Sequence, residues 1–162
     1  MKLKFTLFFA ALLLSSVSTA CNFHGGFGIQ LPSHAGLLTT LSNVALAEKH
    51  GTISTRDKPE TILNWQLAQK AKNKPDIDIT FYQVLQGHYS TISGHSFRFF
   101  DNYQRETAPV EEDVIILSEF SVFGSILEGQ LSMHEAMKLE LVTITGSEIA
   151  KDQVKLWLLD SF

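Results

Sequence analysis

Cysteine is nearly missing from this chain: Cys21 is the only one in 162 residues. A single thiol closes no internal disulfide, so the fold must rest on packing. Basic residues are outnumbered, with 13 Lys and Arg against 17 Asp and Glu for a net charge of −4, and they form no block. Phosphate recognition needs a basic face, which argues against a nucleic-acid partner, and attachment to anionic lipid by charge alone is disfavoured for the same reason. Internal repeats and low-complexity tracts are missing too. No Gly-x-Ser-x-Gly elbow occurs, and no Ser-His-Asp order or carboxylate pair stands in a marked setting, so no hydrolase is supported. The chain reads as a binding protein and not as an enzyme.

Only the N-terminus carries a long apolar run. Lys2 and Lys4 precede Phe5–Leu14, and the small residues Ser18-Thr19-Ala20 follow. Charge, greasy centre and small-residue exit are the three parts of a cleavable secretory signal, expected here over residues 1–20. A membrane span needs about 20 apolar residues, more than this run supplies. Export is therefore expected, to the periplasm in a Gram-negative cell, with the mature chain starting at Cys21. A cysteine just after the cleavage site resembles bacterial lipoproteins, but Ser18 stands where their signals usually carry Leu. A lipid anchor at Cys21 remains the minor alternative.

Residues 21–36 form a lead rich in glycine and histidine, with Gly25, Gly26, Gly28, Gly36 and Pro32 marking loop. Its Gly-Gly-Phe-Gly stretch follows no strand and reads as linker rather than as an anion cradle. Cys21 and His24 stand in Cys-x-x-His spacing, and His34 could fold back across the loop. Thiolate and imidazole suit copper or zinc, so Cys21, His24 and His34 are the candidate metal ligands. His88, His95 and His134 read as ordinary surface histidines.

Residues 37–162 read as one domain. Ser33 suits a helix cap, and Leu37, Leu38, Leu41, Val44, Ala45 and Glu48 share a helical stripe that Lys49, His50 and Gly51 end. Pro59 suits the first turn of a second helix with Ile62, Leu63, Leu67, Ala68 and Ala71 inward and Asn73-Lys74-Pro75 as its stop. The period then changes. Ile77, Ile79 and Phe81 alternate with polar neighbours as a strand does, and Tyr89–Ile92 and Phe97–Phe100 read as further short strands. A polar loop over 101–109 precedes the β-branched run Asp113–Leu117, expected as a central strand covered on both faces. Phe120, Phe123, Ile126 and Leu127 return to helix period, closed by Gly129. Ser132 and Glu135 form a capping box for the next helix. Leu141–Thr145 is the last strand, and Ser147 caps a closing helix.

The stretch from Asp113 to Leu158 combines an Asp-led strand, a helix ending in a glycine turn, a small capped helix, a strand ending in Gly146-Ser147 and a final helix. In this order it resembles the sterol carrier domain (type 2), over residues 77–160. That resemblance implies an α+β fold with a mixed or antiparallel sheet of about five strands, covered by helices on one side around an apolar tunnel. One departure stands out: the family commonly has Gly just before the last strand, where this chain has Leu139-Glu140. The lead is also similar to uncharacterised exported bacterial proteins that open on Cys-x-x-His, a likeness that implies no activity.

Under this resemblance Phe120, Phe123, Leu127, Met133 and Met137 could line a cavity for an apolar, lipid-like ligand; a filled core is the alternative. The expected function is thus an exported binding protein for such a ligand. The alternatives are a copper- or zinc-handling accessory protein, and a structural or assembly partner in a cell-envelope complex.

Overall fold

The computed structural model describes residues 34–53, 60–70, 74–92, 99–101 and 114–162. The expected signal over 1–20, Cys21, His24, the Ser33 cap, Pro59, Ala71, Asn73, His95 and the 102–109 part of the polar loop lie outside the described residues. Helices and one mixed sheet make an α+β fold, as the change of period along the chain predicts.

The elements in order are α1 (Leu37–Lys49), α2 (Glu60–Lys70), β1 (Ile79–Gln83), β2 (His88–Ile92), β3 (Phe99–Asp101), β4 (Val114–Ser118), α3 (Phe120–Leu127), α4 (Met133–Lys138), β5 (Thr143–Thr145) and α5 (Glu148–Ser161). The sheet runs β3-β2-β1-β4-β5. β1 and β4 pair in parallel, with Phe81 beside Ile116, and the other pairings are antiparallel. Every residue of β1 and of β4 is buried. Sequence alternation in β1 suggested one wet face, whereas Thr80 and Tyr82 are buried as well.

The reason lies on the two sides of the sheet. Phe81 points to α3, its ring 5.4 Å from that of Phe120 and 5.6 Å from that of Phe123. Tyr82 points the other way, to His34 and Tyr89. Thr143 shares that second face through its register with Leu117, and its Oγ1 lies 2.7 Å from Oγ1 of Thr40 on α1. Helices thus lie against both faces, where the family resemblance implies one. Gly36 opens α1 at φ 81, and a Cβ there would stand 3.0 Å from the Thr143 methyl, so this close approach needs glycine.

Helical stripes were only partly legible. On α1 the buried residues are Leu37, Thr40 and Val44, while Leu38 is 65% exposed and Ala45 is exposed, so the expected stripe was drawn too wide. On α2, Leu63 and Leu67 are buried and Ile62 faces out. The last strand is shorter than expected: Leu141 and Val142 are buried but precede the ladder, and Ser118 Oγ donates to the Leu141 carbonyl at 2.8 Å.

Three helices end in the same two-bond motif. After α1, Gly51 N donates to Glu48 O at 3.0 Å and Thr52 N to Ala47 O at 2.9 Å. After α3, Gly129 N donates to Ile126 O at 3.0 Å and Gln130 N to Ser125 O at 2.9 Å. After α4, Glu140 N donates to Met137 O at 3.0 Å and Leu141 N to Ala136 O at 2.8 Å. This is the Schellman pattern, which needs a left-handed residue at its bend. Gly51 and Gly129 supply it at φ 68 and 71, and Glu140 does so at φ 54 as the only non-glycine described at positive φ. The departure noted at Leu139-Glu140 therefore falls where the backbone favours glycine.

A buried carboxylate joins the strands to α3. Glu119, 4% exposed, caps α3 through its Oε1, which accepts from Phe120 N at 3.2 Å and from Gln83 Nε2 at 3.4 Å. Its Oε2 accepts from Leu85 N at 3.0 Å. Burial holds its pKa above the ordinary carboxylate value; the three hydrogen bonds oppose the shift and the charge of Glu48 adds to it. The folded state thus binds this proton more tightly than the unfolded state. Its contribution to stability is present at acid pH and is lost as pH rises from the ordinary carboxylate range through the raised value.

Two outcomes follow for stability. Glu140→Gly relieves left-handed strain and should gain about 0.5 kcal/mol in urea unfolding, after the entropic cost of glycine is deducted; a loss would contradict the backbone reading. Glu119→Ala strands buried N–H donors and should cost about 1–3 kcal/mol. The same variant should flatten the fall in stability across the Glu119 titration window, and an unchanged pH slope would count against the buried-acid reading.

Candidate functional site

The site follows from how α3 stops. Its sequence is apolar nearly all round, and Phe120, Val122, Phe123 and Ile126 are buried. Gly129 then reverses the chain, and Ser132 restarts it as α4. The capping box expected from Ser132 and Glu135 is present: Glu135 N donates to Ser132 Oγ at 3.2 Å, and Ser132 N donates to Glu135 Oε2 at 3.1 Å. Only five residues, 128–132, separate the two helices, and the first and last of them are the caps Glu128 and Ser132.

Into this corner comes the end of α5. Phe162 N donates to Leu158 O at 3.0 Å, and the Phe162 ring meets that of Phe123 edge-on with centroids 5.9 Å apart. Between the corner and Phe162 lies an open groove of about 370 Å³. Ile126, Leu127, Leu131 and Phe162 give it an apolar lining, and Gln130, Ser132 and Glu135 give it a polar rim. Ile126 and Leu131 belong to the buried core, so the groove floor is the outer surface of that core.

The rim is anionic. Ser132 N and Oγ both donate to Glu135 Oε2, and these bonds hold the carboxyl below the usual carboxylate pKa, with the charges of His134 and Lys138 helping. Gln130 Nε2 donates to Glu128 Oε2 at 2.9 Å, which brings a second carboxylate to the same turn.

Of the apolar candidates, Leu127 lines the groove. Phe120, Phe123 and Met133 are core residues, at 8%, 0% and 1% exposure, with the two rings packed on Phe81. Met137 is half-buried against the same core. Ile126, Gln130, Leu131 and Phe162 were not singled out from sequence. The pairing of a glycine-closed helix with an immediate capping box was the one signal that could have pointed to the corner, and nothing in sequence brings Phe162 to it.

Of the metal candidates, His34 is described. It is half-buried, 6.1 Å from the Tyr82 ring and 6.3 Å from the Tyr89 ring between centroids, with Nε2 3.5 Å from Tyr89 Oη. Burial, with the Glu119 charge adding, raises the pKa of Tyr82. Among the described residues no three His, Cys, Asp or Glu side chains gather to hold a metal. Nor is any helix among them long and apolar enough to cross a membrane. His134 is exposed beside Glu135, and His88 opens β2 half-buried.

No family model and no curated protein matches the chain. Among solved structures, it is similar to the stereoselective inverting sec-alkylsulfatase Pisa1 from Pseudomonas sp. at 19% identity and a TM-score of 0.38, over 62% of this chain. A double mutant of that sulfatase aligns at 19% identity and a TM-score of 0.40, over 73% of this chain. The chain spans 16% and 20% of those two proteins, so each likeness is to a small part of a much larger molecule.

Proposed function

We propose that this chain is an exported, non-catalytic binding module whose small apolar ligand sits in the groove between the α3–α4 corner and Phe162. The observation that carries the reading is the groove itself. Its volume of about 370 Å³ falls within the range of small-molecule sites, and Ile126, Leu127, Leu131 and Phe162 offer a ligand an apolar surface beside the polar Gln130, Ser132 and Glu135. The resemblance of residues 77–160 to the sterol carrier domain bears on the fold more than on the ligand, so the groove carries the reading. The rim carboxylate Glu135 is engaged by its own helix cap, which suits a solvated edge better than proton transfer.

A second reading, an assembly partner in an envelope complex, is favoured by one specific feature. Ile149 and Leu156 lie two turns apart on α5 and are 77% and 68% exposed, an arrangement that an apolar contact would cover.

Native mass spectrometry of the protein purified from the cell envelope tests the leading reading. The expected product starts at Cys21 and carries a small apolar adduct, and the stripped protein should take up the neutral probe N-phenyl-1-naphthylamine. Gln130→Trp, placed at the exposed rim to fill the groove without disturbing the core, should abolish both adduct and probe uptake. An untrimmed N-terminus contradicts export. Failure to bind, or binding indifferent to Gln130→Trp, contradicts the groove.

A further inference from the structure

The polar edge of the groove says more about the ligand than its apolar lining does. Resting on the ligand-binding reading above, we propose that the groove takes a cationic amphiphile, an apolar chain ending in an ammonium-type head, with the chain on Ile126, Leu131 and Phe162 and the head beside Glu135.

The argument is one of charge complementarity at a defined place. Among the described residues, Glu135 is the sole charged side chain lining the groove, and no Lys, Arg or His lines it. Ser132 satisfies Oε2 through two hydrogen bonds and neither falls on Oε1, so an acceptor is left for a donor head group. A second carboxylate, Glu128, is tied to the rim by the 2.9 Å bond from Gln130 Nε2. Lys138 and His134 act on Glu135 along α4, yet neither reaches the lining. An anionic head would meet Glu135 with no cation among the described lining residues to offset it. The field of the whole chain acts in the same direction, since its net charge is −4.

Apolar burial and head-group attraction are separable. The chain contributes binding whatever the head, because burying it scales with area. The head contributes a modest, screened term, since the rim is exposed; an ion pair of this kind corresponds to about a two- to fivefold change in affinity. Capping chemistry also supplies a clean variant. Glutamine serves as well as glutamate at the third position of a capping box, so Glu135→Gln removes the charge while keeping the helix start.

Calorimetric titration with octyltrimethylammonium, octyl glucoside and octanoate, each below its micelle concentration, decides the matter. The expected order of affinity is cation, then neutral, then anion. Glu135→Gln should bring the cation about two- to fivefold closer to the neutral probe, and added salt should do the same. Octanoate binding as tightly as the cation would overturn the head-group assignment, as would a preference unmoved by both Glu135→Gln and salt; in either case the groove would still bind its chain. If none of the three probes binds, the groove reading itself falls, and this one with it.

Discussion

Glu119 is the joint on which the molecule is built. A carboxylate with 4% of its surface in water accepts from Leu85 N in the turn after β1, from the Gln83 amide at the end of β1, and from the first N–H of α3. A single side chain thereby fixes the start of α3 relative to the two central, parallel strands. Burying a carboxylate is costly, and the three donors offset that cost without cancelling it, as its raised pKa shows. With its start fixed there and its Phe120 and Phe123 rings laid on Phe81, α3 delivers its other end to a set place. The Gly129 turn, the Ser132 cap and Phe162 then assemble around that end, and the groove is the result.

Core and groove therefore divide the apolar residues between them. Phe120, Phe123 and Met133 fill the interior, which answers the choice between cavity lining and packed core at those three positions in favour of packing. Apolar surface open to a ligand lies one turn further on, at Leu127, with Phe162 spanning both regions: its ring touches Phe123 on one side and lines the groove on the other. The groove and the core thus share a wall.

What was legible in the sequence was local. The period change into β1, the β-branched run of β4, the capping box at Ser132 and the glycine stops at Gly51 and Gly129 each depend on a few neighbouring residues, and each is found. Even the Leu139-Glu140 departure from the sterol-carrier pattern had meaning, since Glu140 holds a left-handed bend at φ 54. What was not legible depends on distant partners. Thr40 is buried because Thr143, 103 residues away, meets its hydroxyl. Leu38 and Ile62 are apolar yet exposed, since period marks a stripe without saying how much of it a neighbour covers. Glu119 carried no mark in the sequence, and only the approach of Gln83 and Leu85 makes it a buried joint. The groove shares this origin, for it lies between a turn and a residue more than thirty positions later in the chain.

The central proposal is that a ligand binds at the α3–α4 corner. Amide chemical-shift mapping during titration of the isotope-labelled protein with octyltrimethylammonium reads this directly. The account predicts that the largest shifts cluster at Ile126–Ser132, Glu135 and Phe162, with the sheet face around Tyr82 and Thr143 unmoved. Shifts centred on that opposite face, or spread evenly over the molecule, would contradict it.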